Sequence, residues 1–149
     1  MKEKKTHNEV DRYYRGLRYV VRLLDRGYRC GYVQIPEDSW ENVKADEGNR
    51  LLCHGGVTYC GTVEEDNVMG LPPGHWVGFD CHHAEDTLDV DSVKKVFNKE
   101  IHTPEWSWGA FSHMWTSEEV EEDCKDIINQ YWHCLRCRNF KKEDVHDQV

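Results

Sequence analysis

The sequence predicts an α+β fold, in which two or three helices cover a small mixed or antiparallel sheet. Short apolar runs bounded by turn residues predict strands at 28–35, 51–54, 57–63 and 75–80. Apolar residues spaced three and four apart predict helices at 9–26, at 89–101 and from Thr116 or Ser117 onwards. The 149 residues fit one domain, 1–149.

The first predicted helix, Glu9 to Arg26, carries apolar residues on one side and arginines mostly off it. The apolar stripe consists of Val10, Tyr13, Tyr14, Leu17, Val20, Val21 and Leu24. The arginines are Arg12, Arg15, Arg18, Arg22 and Arg26. Gly27 follows as a C-terminal stop. This concentration of positive charge is compatible with a solvated face or with a surface for an anion or a protein partner.

Residues 28–133 are predicted to form the α+β core. Pro36 ends its first strand, and residues 37–49 are acidic and typical of turns. Gly55 and Gly56 interrupt the path between the next two strands, as a bulge or a break.

The second half of the core continues with a helix that Asp89 or Asp91 caps. An irregular, aromatic-rich segment at 103–115 separates it from the last helix. We expect residues 1–8 and 138–149 to be disordered.

Charge and composition exclude several classes of partner. The formal net charge is −9, from 28 acidic and 19 basic residues, which argues against duplex nucleic acid and anionic membranes. No run of eighteen apolar residues occurs and the first residues are charged, so neither a transmembrane helix nor a secretory leader is predicted. The seven cysteines suit no disulfide framework and are expected as reduced thiols in a cytoplasmic protein.

Three motifs follow one another in the chain: GYVQIP at 31–36, HGGVTY at 54–59 and WVGFDCHHAED at 76–86. A helix with Asp123 and Cys124 closes the series. This order resembles a family of small, largely uncharacterised proteins of phages and mobile elements, with the motifs H-G-G-[LV]-T-[FY] and G-F-D-C-x-H-x-x-D. The chain departs from that pattern at Asp123 and Glu85, where the family has Glu and Gly. The resemblance implies a phage protein that interferes with host defence in the host cytoplasm, and implies no particular activity.

Two polar loops form the candidate site, because functional groups concentrate on loops that strands hold in place. The glycines of the first loop allow a close approach of the backbone to a ligand, although a simple glycine bulge is the structural alternative. The acids and the histidine of the second loop are spaced three residues apart, which favours one side of a turn. The candidate ligand-binding residues are His54, Gly55, Gly56, Thr58, Asp80, His83, Asp86, Trp106 and Trp108.

Three functions are compatible with these residues. The preferred prediction is that the loops sequester a small nucleotide-derived signalling molecule, without a cofactor, and so counter host defence. Alternatively, His54, Asp80 and His83 hold zinc or manganese in a hydrolase of a phosphate or glycosidic bond in such a molecule. In the third possible function, the arginine-rich first helix binds and inhibits a host protein. The sequence leaves open whether the protein is an enzyme, whether it is a homo-oligomer, and whether Cys134 and Cys137 bind metal.

Overall fold

One antiparallel sheet of five strands forms the centre of the fold, in the order β1-β2-β3-β5-β4. The structure is a computed structural model and describes residues 4–65, 67–103 and 112–133. The strands are β1 (Thr6–Tyr14), β2 (Leu17–Leu24), β3 (Arg29–Ile35), β4 (Tyr59–Val63) and β5 (Gly74–Asp80). The helices are α1 (Glu37–Ala45), α2 (Val90–Phe97) and α3 (Ser117–His133). The predicted α+β class is confirmed, and the sheet is antiparallel.

The prediction of a helix at 9–26 is wrong, because this segment forms the β1–β2 hairpin. Arg15 and Gly16 both have positive φ, 49° and 86°, and they turn the chain so that Tyr14 pairs with Leu17. Strand β2 is buried on both faces and therefore lacks the alternation that identifies a half-buried strand. The same hairpin corrects the prediction of disorder at 6–8, since β1 begins at Thr6.

The arginines of the hairpin are held by neighbouring side chains and backbone. Arg12 binds Glu121, Arg15 donates to Asn129, and Arg18 forms two bonds with Asp11. Arg22 is buried, donates to Asn8 and to the carbonyl of Met69, and lies over the Tyr32 ring. The arginine-rich helix proposed for inhibiting a host protein is therefore absent from the fold.

Two further elements differ from the sequence prediction. Residues 37–45, predicted to be turn-like, form helix α1, which buries Ser39, Trp40 and Val43 on one side. Residues 51–54 do not form a strand. There the side chain of Gln130 replaces a neighbouring strand, because its amide donates to the Leu52 carbonyl and its carbonyl oxygen accepts from the Leu52 amide, each at 2.7 Å.

The last two helices confirm the predicted caps. The Asp89 side chain accepts from the amide of Ser92 at the start of α2, and Asn98 ends that helix in the left-handed conformation, before the predicted end at Ile101. At α3, Thr116 and Glu119 accept reciprocally from each other's amides, which is a capping box.

The two faces of the sheet carry separate hydrophobic clusters. Helices α1 and α3 pack on one face, over Val21, Val33 and Val77. On the other face, Val20 and Trp76 pack with residues of β4 and of the loop that leads to β5. Within the part of the chain that the structure describes, no helix is long and apolar enough to span a membrane.

Candidate functional site

Three side chains that are distant in the sequence converge beside the end of β5. His54 Nε2 lies 2.9 and 3.0 Å from the two carboxylate oxygens of Asp86, and His83 Nδ1 lies 2.9 Å from Asp86 Oδ2. The potential ligand atoms of the three residues all lie within 4.8 Å of one another. We call His54, His83 and Asp86 the His–Asp cluster. A carboxylate only accepts hydrogen bonds, so each imidazole directs an N–H at Asp86.

The backbone on both sides of Asp86 fixes its position. The Thr87 amide donates to the His113 carbonyl at 2.8 Å, and the His113 amide donates to the Glu85 carbonyl at 2.9 Å. The Asp86 carboxylate also accepts from the His83 amide, which closes the turn between them. Only 5% of Asp86 is exposed. Its carboxylate is therefore both buried and held in place by main-chain bonds that do not depend on either imidazole.

His54 is positioned by a residue of α3 and by a residue just before that helix. Its amide donates to Asp123 Oδ2 at 2.8 Å, and its ring stacks on Trp115 with the centroids 4.1 Å apart. The side chains of His54 and His83 remain 23% and 37% exposed. The cluster therefore combines a buried carboxylate with two imidazoles that solvent and solutes can reach.

The glycines of the first loop have different surroundings. Gly55 and Gly56 both have positive φ, 72° and 81°. A Cβ atom at Gly55 would lie 2.4 Å from His83 Cε1, whereas one at Gly56 would meet nothing within 4 Å. Gly55 thus makes room for the His83 ring as well as supplying the turn.

Asp80 and Thr58 lie beside the cluster. The Thr58 hydroxyl donates to Asp80 Oδ2 at 3.1 Å, and the His82 amide donates to Asp80 Oδ1 at 3.1 Å. His83 Nε2 lies 3.8 Å from Asp80 Oδ1, on the side of the ring opposite the nitrogen that meets Asp86. The structure groups Asp86, rather than Asp80, with the two imidazoles.

Burial and hydrogen bonds shift the pKa of Asp86 in opposite directions. Burial favours its protonated form, but the bonds from His54 and His83 outweigh it and hold the pKa of Asp86 below its ordinary value. A shallow recess of about 380 Å³ borders His54 and adds more acids nearby. It is lined by Trp115 and by the acids Glu118, Glu119, Glu122 and Asp123. The surroundings of the cluster therefore favour a cation.

The cysteines near the site have the properties of buried thiols. Burial raises the pKa of Cys81 strongly, and it raises that of Cys53 to about 12. His82, the neighbour of Cys81, stacks on Tyr28 with the ring centroids 4.4 Å apart. Neither cysteine has the lowered pKa of a reactive thiolate.

Sequence reasoning missed Asp123 and the tyrosines that flank Asp80. The sequence pattern places Asp123 on a helix, and only the fold brings its carboxylate to the His54 amide. Tyr28 and Tyr32 alternate with Arg29 and Gly31 in the sequence, which predicts one shared face, and both pack in the same hydrophobic cluster. Trp106, Trp108, Cys134, Cys137 and residues 138–149 lie outside the described residues.

No protein-family model, curated protein or solved structure matches this chain. The resemblance to small phage proteins therefore stays a prediction from its motifs.

Proposed function

We propose that the His–Asp cluster binds one divalent metal ion, zinc or manganese, in a hydrolase that cleaves a phosphate or glycosidic bond. The observation that carries this proposal is the meeting of three ligand atoms, from His54, His83 and Asp86, within 4.8 Å. Two imidazoles and a carboxylate are a frequent protein ligand set for a catalytic metal ion, whose remaining positions are open to water and substrate.

The surroundings of His83 support a ligand role for this residue. Metal binding through Nδ1 requires the ring proton to move to Nε2, which faces Asp80 Oδ1 at 3.8 Å. A carboxylate behind a ligating histidine orients the ring and raises its basicity. Asp80 therefore acts as a positioning residue in this proposal, and Asp86 replaces it in the ligand set that the sequence predicts.

The local charge also supports a metal ion. Asp80, Asp86 and Asp123 all lie within contact of the two histidines or their backbone, and no arginine or lysine is bonded to them among the described residues. A phosphate-containing substrate would be repelled by these acids on its own. A bound divalent ion would offset that charge, polarise the scissile bond and supply an activated water.

Metal titration of the full chain tests the proposal. After treatment with a chelator, the protein is titrated with zinc and manganese by calorimetry, and one ion per chain is expected. Asp86→Asn and His54→Ala are expected to weaken the affinity at least about a hundredfold, since loss of a mere supporting contact costs 10–100-fold. The matched control is His113→Gln, which removes an exposed imidazole bonded to Glu119 and leaves the cluster complete.

Turnover is measured on a panel of cyclic nucleotides and ADP-ribose derivatives with chromatographic detection of products. Addition of chelator is expected to stop cleavage, and the metal that binds to the cluster is expected to restore it. Equal metal affinity of the wild-type chain and Asp86→Asn, or cleavage that survives chelation, would contradict the proposal.

A second candidate function is capture of the same class of molecule without cleavage. A recess of about 260 Å³ favours it, because its volume is close to that of the smallest ligand pockets. The residues that line it include Leu24, Tyr28, Tyr32, Thr58, Tyr59 and Asp80. In this reading, the protein sequesters a nucleotide-derived signal in the host cytoplasm and so counters host defence, as the phage resemblance implies. Recovery of an intact nucleotide after denaturation of a metal-free complex would favour capture over hydrolysis.

A further inference from the structure

We infer that this tyrosine recess, lined by Leu24, Tyr28, Tyr32, Thr58, Tyr59 and Asp80, binds a nucleobase that carries an exocyclic amino group. The inference rests on the proposed function and deepens it, because the base would be part of the same molecule that the metal centre cleaves. The recess opens on the sheet face opposite helices α1 and α3. It shares Asp80 with the surroundings of the His–Asp cluster.

A glycine of the sheet lies beside two tyrosines of the recess. Gly78 pairs with Tyr32 of β3 on one side and with Tyr59 of β4 on the other. A Cβ atom at Gly78 would lie 2.6 Å from Tyr32 Cδ1, so the bare backbone allows the tyrosine ring to lean over the strand. The rings of Tyr32 and Tyr59 meet edge to face, with the centroids 6.1 Å apart at 78°, so Tyr32 holds the Tyr59 ring beside the recess.

Aromatic surface alone binds any planar ring, because every base has a π face. The selective group is Asp80. Its two oxygens accept one bond each, from Thr58 and His82, and a carboxylate has about four acceptor positions. The remaining positions favour a donor, so the recess is suited to the amino group of adenine, cytosine or guanine, whereas uracil offers one N–H at N3 between two carbonyl oxygens that the carboxylate repels.

The position of Asp80 connects the recess to the proposed chemistry. Asp80 Oδ1 lies 3.8 Å from His83 Nε2, while Asp80 also lines the recess. A base held against Asp80 would therefore be separated from the His–Asp cluster by the His83 ring. The sugar and phosphate of the same molecule would extend toward the metal ion.

Nucleosides without phosphate test the recess in the absence of metal. The chelated full chain is titrated with adenosine and purine riboside, which differ only in the amino group, and with cytidine and uridine. Adenosine or cytidine is expected to bind about tenfold more tightly than its partner, and Asp80→Asn is expected to remove about that factor. Binding is followed by the amide chemical shifts of Gly78 and its neighbours.

Two variants of Tyr59 separate stacking from folding. Tyr59→Ala is expected to weaken binding about tenfold or more, whereas Tyr59→Phe keeps the ring and is expected to retain it. If no nucleoside binds at millimolar concentration, if the paired nucleosides bind equally, or if Asp80→Asn and Tyr59→Ala bind like the wild type, the inference is wrong. Both Tyr59 variants should retain metal affinity, so failure of the recess and failure of the metal centre give different results.

Discussion

Gly55 lies directly against His83, so that a Cβ atom at position 55 would stand 2.4 Å from Cε1 and 2.5 Å from Nε2 of the imidazole ring. We predict that Gly55→Ala displaces this ring and lowers metal affinity about tenfold or more, because misplacement of a ligand weakens a metal site. Calorimetric titration with zinc or manganese measures the effect.

Gly56→Ala is the matched control for Gly55→Ala. Position 56 has a similar positive φ, 81° against 72°, so both variants bear comparable backbone strain, yet a Cβ atom at 56 meets nothing within 4 Å. Both are expected to lose about 1 kcal/mol or more of unfolding free energy. Equal metal affinities of the two variants would show that His83 does not depend on the space at Gly55.

Arg29 is predicted to be the most costly arginine of the sheet to remove. It is 5% exposed and bonds Glu9 at 2.6 Å, Asp89 at 2.9 Å and the Trp115 carbonyl at 3.0 Å. Arg29→Met would leave two acids without their partner, so we expect a loss of roughly 3–5 kcal/mol in unfolding free energy. Urea denaturation measures it.

Arg18→Met is the control for Arg29→Met. Arg18 also forms a two-bond pair with an acid, Asp11, but the side chains of this pair are 28% and 38% exposed. We expect a loss of at most about 1 kcal/mol. Similar losses for the two variants would contradict the view that burial sets the cost.

Acid is predicted to destabilise the protein in part through Asp89. Burial favours the protonated acid, but the bonds from Ser92 and Arg29 outweigh it and lower the pKa of Asp89. A lowered folded-state pKa means that the unfolded chain takes up the proton first. Stability is therefore present above the unfolded-state pKa, about 3.9, and lost as the pH falls through the folded-state value.

Asp89→Asn tests this pH dependence. Its unfolding free energy should start lower near neutral pH and should fall less than that of the wild type between about pH 5 and about pH 2. Parallel curves for the two proteins, measured by urea denaturation across this range, would show that Asp89 does not contribute.

Gln130 is predicted to fix the segment that leads to His54. Its side chain makes both backbone bonds of Leu52, and Gln130→Ala should cost about 1–2 kcal/mol and speed hydrogen exchange at the Leu52 amide. The control is Asp126→Ala, which removes the bond between Asp126 and Gln130 and leaves both bonds from Gln130 to Leu52 in place. Unchanged exchange at Leu52 in Gln130→Ala would contradict this role.

The sequence predicts those parts of the fold whose signals are local. Strand β3, helix α3 and the cap at Asp89 follow from alternation, from apolar spacing and from a side chain near its own helix. The hairpin 6–24 has the sequence pattern of a helix because β2 is buried on both faces, and because Val10, Tyr14, Leu17 and Val21 recur at helical spacing. The decisive signal was Arg15-Gly16, a turn pair inside the supposed helix.

The site was predicted in outline only. The loops around His54 and His83 are adjacent, as expected, since β5 pairs with β4 and carries both toward one end of the sheet. Sequence spacing could not select Asp86 over Asp80 as the shared carboxylate, because the choice depends on the direction of a short turn after β5. It also could not find Asp123, which reaches His54 across 69 positions of the chain.

The pairing of Asp86 with His113 has a consequence for the order in which the protein assembles. His54 and His83 can approach each other once β4 and β5 have paired, but the backbone on both sides of the carboxylate between them is completed by the strand-like contact with residue 113. A growing chain that has not yet reached that residue would carry all three side chains without their final geometry. The ability to bind a metal ion is therefore expected to appear late in synthesis, when α3 packs against the sheet.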